Sequence, residues 1–210
     1  MKDLLLDFGG VLLLTPFERR AEAERSLGME AGALSWAGPF DPPSDPLWQQ
    51  WQAGEVAERD YWAIRAASYG LETQAFMAGF FEPGGDHLVR TEMWDLVRSY
   101  QRSGGRVAIL TNDLRAFHGT EWLESITVLD EIDILIDASI TKVLKPDPRA
   151  YEAALTALGD PDPASVVFVD DQQNNLRGAK ASGMVPVFFD PADVPGSIAR
   201  VQAALELTAD

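Results

Sequence analysis

Four short apolar runs set the strongest limit on what this chain can fold into: LLL at 4–6, VAIL at 107–110, VVFV at 166–169 and VPVFF at 185–189. None alternates apolar with polar residues, so each suits a strand buried on both faces, as in a parallel sheet covered by helices. Helical stretches lie between them. Phe17 to Leu27 follows Pro16, which suits a helix start, and Met93 to Ser103, a segment after Asp113, Pro148 to Leu158 and Asn175 to Ser182 complete the series. A short apolar segment at Ile132 to Ile136 adds a further strand candidate. Strands that alternate with helices predict an α/β chain with a doubly wound, mostly parallel sheet. Pro186 cannot donate to a ladder, which predicts that the last strand lies at or near an edge.

Residues 28–90 interrupt this alternation. "GPFDPPSDP" is a loop, "LWQQWQAGEVAERDYWAIRAASYGL" is helical by spacing, and "EPGGD" is another break. The expected organisation is a core of residues 1–15 and 91–210, with residues 16–90 inserted as a helical unit after the first strand. A chain of 210 residues with 46% hydrophobic content can bury a core of that kind. Its formal net charge of -16 repels polyanions over most of the surface, which excludes nucleic acid and an anionic membrane as expected partners. A phosphorylated ligand must then be met by local cations. There are no cysteines, hence no disulfides, thiolate metal sites or cysteine nucleophiles. The first stretch carries one Lys and an apolar run interrupted by Asp7, and no apolar run approaches the roughly 18 residues of a membrane span, so a cytoplasmic protein is expected.

In an open parallel sheet, ligands bind beyond the carboxyl ends of the strands. Asp7 follows LLL; Thr111, Asn112 and Asp113 follow VAIL; Lys142 and Lys145 lie in "DASITKVLKPDP" after Ile132 to Ile136; Asp170 and Asp171 follow VVFV. Each has a plainer reading. Asp7 can simply end a strand, Thr111 to Asp113 makes a good helix N-cap, and "KPDP" reads as a loop before a helix with Pro148 at its first position. Their joint occurrence, each after an expected strand, favours a reactive site. A carboxylate that attacks phosphorus needs a divalent cation to reduce repulsion, a hydroxyl or amide to hold the phosphoryl oxygens, and a lysine to balance charge. Asp7, Asp170 and Asp171 offer the hard oxygen ligands that Mg2+ takes, and without a cation such carboxylates repel one another.

On these motifs the sequence resembles the haloacid dehalogenase-like hydrolase superfamily. "LLLDFGGVL", "VAILTND", "KPDPRAYEAAL" and "VVFVDDQQNNLRGAKASGM" look like its four motifs, in order, over nearly the whole chain. The resemblance implies a Rossmann-like core with an inserted α-helical cap, and a Mg2+-dependent phosphatase acting on a small phosphorylated metabolite. It further implies that Asp7 is the nucleophile and a metal ligand, with the backbone carbonyl of Gly9 as another ligand. Thr111 would hold the phosphoryl group together with the backbone or side chain of Asn112, and Lys145 matches the motif lysine better than Lys142. Asp170 would bind Mg2+ directly, Asp171 directly or through water, and Asn175 would steady the fourth loop. In the insertion, Trp48, Trp51, Trp62 and Tyr61 read either as the packing of its own helices or as lining for a substrate pocket. The two histidines are His87 and His118, the latter expected on the surface.

One departure matters. Most phosphatases that the sequence resembles carry a second aspartate two residues after the nucleophile, as general acid and then base; here that position is Gly9. General acid-base catalysis is typically worth about 10²- to 10⁴-fold, so its loss falls most heavily on esters of poor leaving groups. Three readings follow: a phosphatase whose acid comes from elsewhere or whose leaving group is good, such as an anomeric sugar oxygen or an acyl phosphate; a metal-independent 2-haloacid dehalogenase; or a weakened phosphate-ligand-binding protein. The paired Asp170 and Asp171 argue against the dehalogenase, and the retained Asp7, Thr111, Lys145 and Asp170 against decay. A phospho-acceptor receiver domain uses similar groups, but its acidic pair lies after the first strand, and here the pair is last.

Overall fold

The computed structural model describes residues 1–112, 114 and 119–207. Its contacts divide into two compact units, Met1–Leu13 with Gly85–Asp210, and Leu14–Gly84. In the first unit five strands, β1 (Asp3–Leu6), β2 (Val107–Thr111), β3 (Ile134–Asp137), β4 (Val166–Asp170) and β5 (Val185–Phe188), form one sheet in the order β3-β2-β1-β4-β5. Every pairing is parallel, so the sheet is wholly rather than mostly parallel. The three inner strands β1, β2 and β4 are buried at every position, which is why their sequences are continuous apolar runs. The outer strands β3 and β5 are only partly buried, and Pro186 pairs opposite Phe168 on edge strand β5, where its missing N–H costs no ladder bond.

Alternation within the strands divides the core between two helical layers. Leu5, Ala108, Leu110, Val166 and Phe168 meet Tyr151, Ala154 and Leu158 of one helix and Leu176 and Ala179 of another. Those helices span Pro148–Ala157 and Gln173–Ala181, the former capped by the Asp147 carboxylate, which accepts from the Arg149 N–H. Leu4, Leu6, Ile109, Val167 and Val169 point to the opposite face by the two-residue strand period and are fully buried there. Helices Thr91–Arg102 and Val194–Ala204 pack on each other, and the latter also meets β4 and β5. The sheet is therefore doubly wound. The Val194–Ala204 helix was not expected from the sequence, although Asp193 caps it by accepting from the Gly196 N–H and Pro195 lies in its first turn. The expected helix after Asp113 falls mostly outside the described residues, as do Asp113 and His118 themselves; a short helix at Thr120–Glu124 follows. His87 is exposed.

The sheet unit resumes at Gly85, six residues before the boundary expected at 91, and its first segment ends at Leu13 rather than at 15. The Arg90 N–H donates to the Leu12 carbonyl at 2.8 Å and Leu13 bridges Val89 antiparallel, so the outgoing and returning segments are tied at the sheet. The second unit contains helices Arg20–Ser26, Pro46–Ala53, Glu58–Ser68 and Thr73–Phe81. The segment read as one helical stretch is two helices, because Gly54 takes a left-handed φ of 82° and ends the first. Phe17 sits among Trp36, Trp51, Tyr61 and Trp62, with ring centroids 5.5–6.5 Å away. Trp51, Tyr61 and Trp62 thus build this unit's own core, whereas Trp48 is half-buried. Asp45, fully buried, accepts from the Trp48 N–H at 2.9 Å and the Tyr61 hydroxyl at 2.7 Å and pairs with Arg65.

Candidate active site

In the order β3-β2-β1-β4-β5 the winding reverses beside β1, so the crevice beyond the ends of β1 and β4 is where a doubly wound sheet binds its ligand. Asp7 follows β1 directly, and its N–H still donates to the Val169 carbonyl of β4 at 2.8 Å. Its Oδ1 accepts from the Phe8 N–H at 2.7 Å and pairs with the Lys145 ammonium at 2.9 Å, which fixes the orientation of the carboxylate. Asp170 ends β4 and is fully buried. Its Oδ1 accepts from the Gln172 N–H at 2.8 Å, the Asn175 amide donates to both oxygens at 3.1–3.2 Å, and Lys145 Nζ reaches Oδ2 at 2.8 Å. Asp171 completes the group: Asp7, Asp170 and Asp171 each present a carboxylate oxygen within 4.8 Å of the others.

Lys145 sits at the centre of these charges. Burial alone drives its pKa down, but Asp170 and then Asp7 outweigh that penalty and hold the ammonium above the ordinary lysine value. It also lies 5.4 Å over the Phe168 ring. Lys142, in contrast, is exposed with a left-handed φ of 58°. Asn112 explains how Lys145 is aimed: its amide donates to the Lys145 carbonyl at 3.1 Å, and its carbonyl oxygen accepts from the Lys145 N–H at 2.7 Å. The Asn112 side chain is thus spent on the lysine loop. Thr111, buried at the end of β2, pairs with Asp137 of β3. Asn175 is held in turn, since the Tyr151 hydroxyl donates to its backbone carbonyl at 2.7 Å; burial raises the Tyr151 pKa and keeps that phenol a donor.

Gly9 and Gly10 differ in kind. Among the described residues, its chain neighbours aside, an ideal Cβ on Gly9 meets nothing within 4 Å, and its backbone is not left-handed. Gly10 has φ 75°, and a Cβ there would lie 2.3 Å from Asp171 Oδ2. The DFGG turn therefore needs its second glycine for the fold of the site, whereas its first is open to a side chain. Sequence reasoning missed Gly10, Tyr151 and Arg90, whose buried guanidinium donates to the Gly10 carbonyl at 3.2 Å.

Three carboxylates converge here, two of them buried and paired with Lys145, and such a group repels itself unless cations offset it. The donor set fits one: it is all-oxygen and hard, the type of ligand that Mg2+ takes. The motif order and this geometry agree with a family match. The model of the haloacid dehalogenase-like hydrolases matches residues 4–183. The chain belongs to that family.

This haloacid dehalogenase-like hydrolase is 26% identical over 153 residues to a phosphatase of Mycobacterium tuberculosis, covering 68% of this chain and 70% of that one. It is 28% identical over 145 residues to a sesquiterpene phosphatase of Aspergillus oryzae, covering 66% and 69%. Among solved structures, a dehalogenase shares the fold over 99% of this chain and 98% of its own, with a TM-score of 0.64 and 20% identity. Among the described residues no helix is long and apolar enough to cross a membrane.

Proposed function

We propose that the chain is a Mg2+-dependent phosphatase of a small phosphorylated metabolite, a sugar phosphate or similar, acting in the cytoplasm through an aspartyl-phosphate at Asp7. The observation that carries this reading is the convergence of Asp7, Asp170 and Asp171 around a buried, charged Lys145. Phosphatases among the sequence relatives support it. The Asp7 carboxylate attacks phosphorus and the bond to the leaving oxygen breaks. Water then attacks the acyl phosphate at phosphorus, which releases phosphate and returns Asp7 as a carboxylate. Thr111 holds the phosphoryl oxygens through its hydroxyl. The part given to Asn112 falls to its backbone N–H, because its side chain serves Lys145. Lys145 balances charge on Asp7 and Asp170, and Asn175 keeps Asp170 in place. Asp7, Asp170 and Asp171, with the Gly9 carbonyl, would hold Mg2+, which when bound offsets the repulsion between nucleophile and phosphoryl oxygens.

Gly9 brings no proton to the leaving oxygen, so the substrates favoured are those whose leaving group departs readily, such as anomeric and acyl phosphates. The helical unit of residues 14–84 is the cap of this reading. The deciding experiment is phosphate release from a metabolite panel with and without Mg2+, run beside halide release from 2-haloacids. Phosphate release that requires Mg2+ is expected. Halide release without metal would select the dehalogenase reading instead, and silence in both, with phosphate-ligand binding retained, the binding-protein reading.

A further inference from the structure

Arg90 is a buried cation that the chemistry above leaves unused. It is 3% exposed and stands where the chain returns to the sheet unit. Burying a guanidinium is expensive and persists where its contacts repay the lost hydration. Two of those contacts point one way: its Nη2 donates to the Gly10 carbonyl at 3.2 Å and its guanidinium lies 5.3 Å over the Phe189 ring, while its backbone N–H, donating to the Leu12 carbonyl at 2.8 Å, holds the residue in place.

The two guanidinium contacts lead to the acidic cluster by one further step each. The α-carbon of Gly10 packs against the Asp171 carboxylate so closely that no Cβ fits between them. The Phe189 N–H donates to the Asp170 carbonyl at 3.0 Å. Arg90 therefore joins the loop after β1, which carries Asp7 and shapes the seat of Asp171, to the segment after β5, which is bonded to Asp170. A planar guanidinium can donate along its edge and stack on its face at once, which an ammonium cannot do.

We propose that Arg90 is a positioning residue for the cation site: by holding Gly10 against Phe189 it sets the spacing of Asp171 from Asp7 and Asp170. This inference rests on the reading that those three carboxylates hold a divalent cation. Groups bonded directly to metal ligands typically change metal affinity by about 10- to 100-fold when removed, and Arg90 acts one contact further out, so the lower end of that range applies. A role confined to stability would lower the melting temperature and leave cation affinity alone.

The test is a Mn2+ titration followed by electron paramagnetic resonance on the native chain and on Arg90→Gln, Arg90→Lys and Phe189→Leu, with melting of each measured in the absence of divalent ions. Arg90→Gln is expected to bind Mn2+ about tenfold more weakly. Arg90→Lys should recover part of that loss, because its ammonium reaches the Gly10 carbonyl without stacking on Phe189. Phe189→Leu should fall between native and Arg90→Gln, and it carries the test if Arg90→Gln does not fold. Unchanged Mn2+ affinity in Arg90→Gln or, failing that, in Phe189→Leu, whatever the melting temperature, overturns the positioning role while leaving the cation site intact. Absence of Mn2+ binding by the native chain overturns the cation site, and the inference with it.

Discussion

Replacing Lys145 by methionine keeps an unbranched side chain, one atom shorter, and deletes its charge. In the native site the Lys145 side chain is 1% exposed and lies 2.9 Å from Asp7 and 2.8 Å from Asp170, whose side chains are 8% and 0% exposed. Removing one partner of a buried ion pair costs about 3–5 kcal/mol, because the charge left behind is no longer compensated. Here two carboxylates lose the same partner, so the upper half of that range applies at neutral pH without divalent ions. At about 2–4 °C per kcal/mol for a chain of this size, the melting temperature should fall by roughly 8–20 °C. The loss should shrink in Mg2+, which replaces part of the missing charge. Because the folded Lys145 pKa is raised, its stabilisation is complete below the ordinary lysine value and is lost only as pH rises through the higher folded one. The difference between native and variant should therefore show no Lys145 titration between about pH 6 and 9. Calorimetric melting of both proteins, with and without Mg2+, makes the comparison. A difference under about 2 °C without divalent ions would refute the claim that Lys145 offsets two buried carboxylates.

Gly9→Asp adds a carboxyl where the described residues leave room, since beyond its chain neighbours none of them comes within 4 Å of an ideal Cβ. If proton supply limits poor leaving groups, this change should raise kcat for alkyl phosphates relative to acyl phosphates by at least about tenfold. An unchanged ratio, from steady-state rates on both substrate types, contradicts the leaving-group argument. In the helical unit, the buried Glu24 carboxylate accepts from the Gly32 N–H at 2.9 Å and the Leu34 N–H at 2.8 Å, and these bonds lower its pKa. Glu24→Gln should cost about 1.5 kcal/mol in urea unfolding at neutral pH. A lowered carboxyl pKa stabilises above the ordinary glutamate value and ceases to as pH falls through the folded one, so the gap between native and variant should close in acid. A gap that persists at low pH would mean that the charge is not what the loop recognises.

The parts of the fold that the sequence disclosed are those whose environment forces a pattern. β1, β2 and β4 are buried on both faces and left unbroken apolar runs. The segment Ile132 to Ile136 was harder to delimit, because an edge strand is buried on one side and only Ile134–Asp137 pairs. Helical spacing continues across Gly54 although the helix does not, and the glycine's left-handed turn was the overlooked signal. The acidic strand ends and Lys145 were legible because parallel topology sends every strand end to one edge of the sheet. Arg90 was not, since it meets Gly10 80 positions away in the chain and its side chain carries no local pattern. For the same reason the double hydrogen bond of Asn112 to the Lys145 backbone, 33 positions apart, appeared only in three dimensions.

The central claim is that Asp7 becomes phosphorylated during turnover. Acid quenching of the chain with Mg2+ and an acyl phosphate, followed by peptide mass spectrometry, tests it directly. The expected result is a peptide spanning Asp7 heavier by one phosphoryl group in the native protein, absent in Asp7→Asn, with phosphate release abolished in that variant while its fold persists. Undiminished phosphate release by Asp7→Asn would contradict the account.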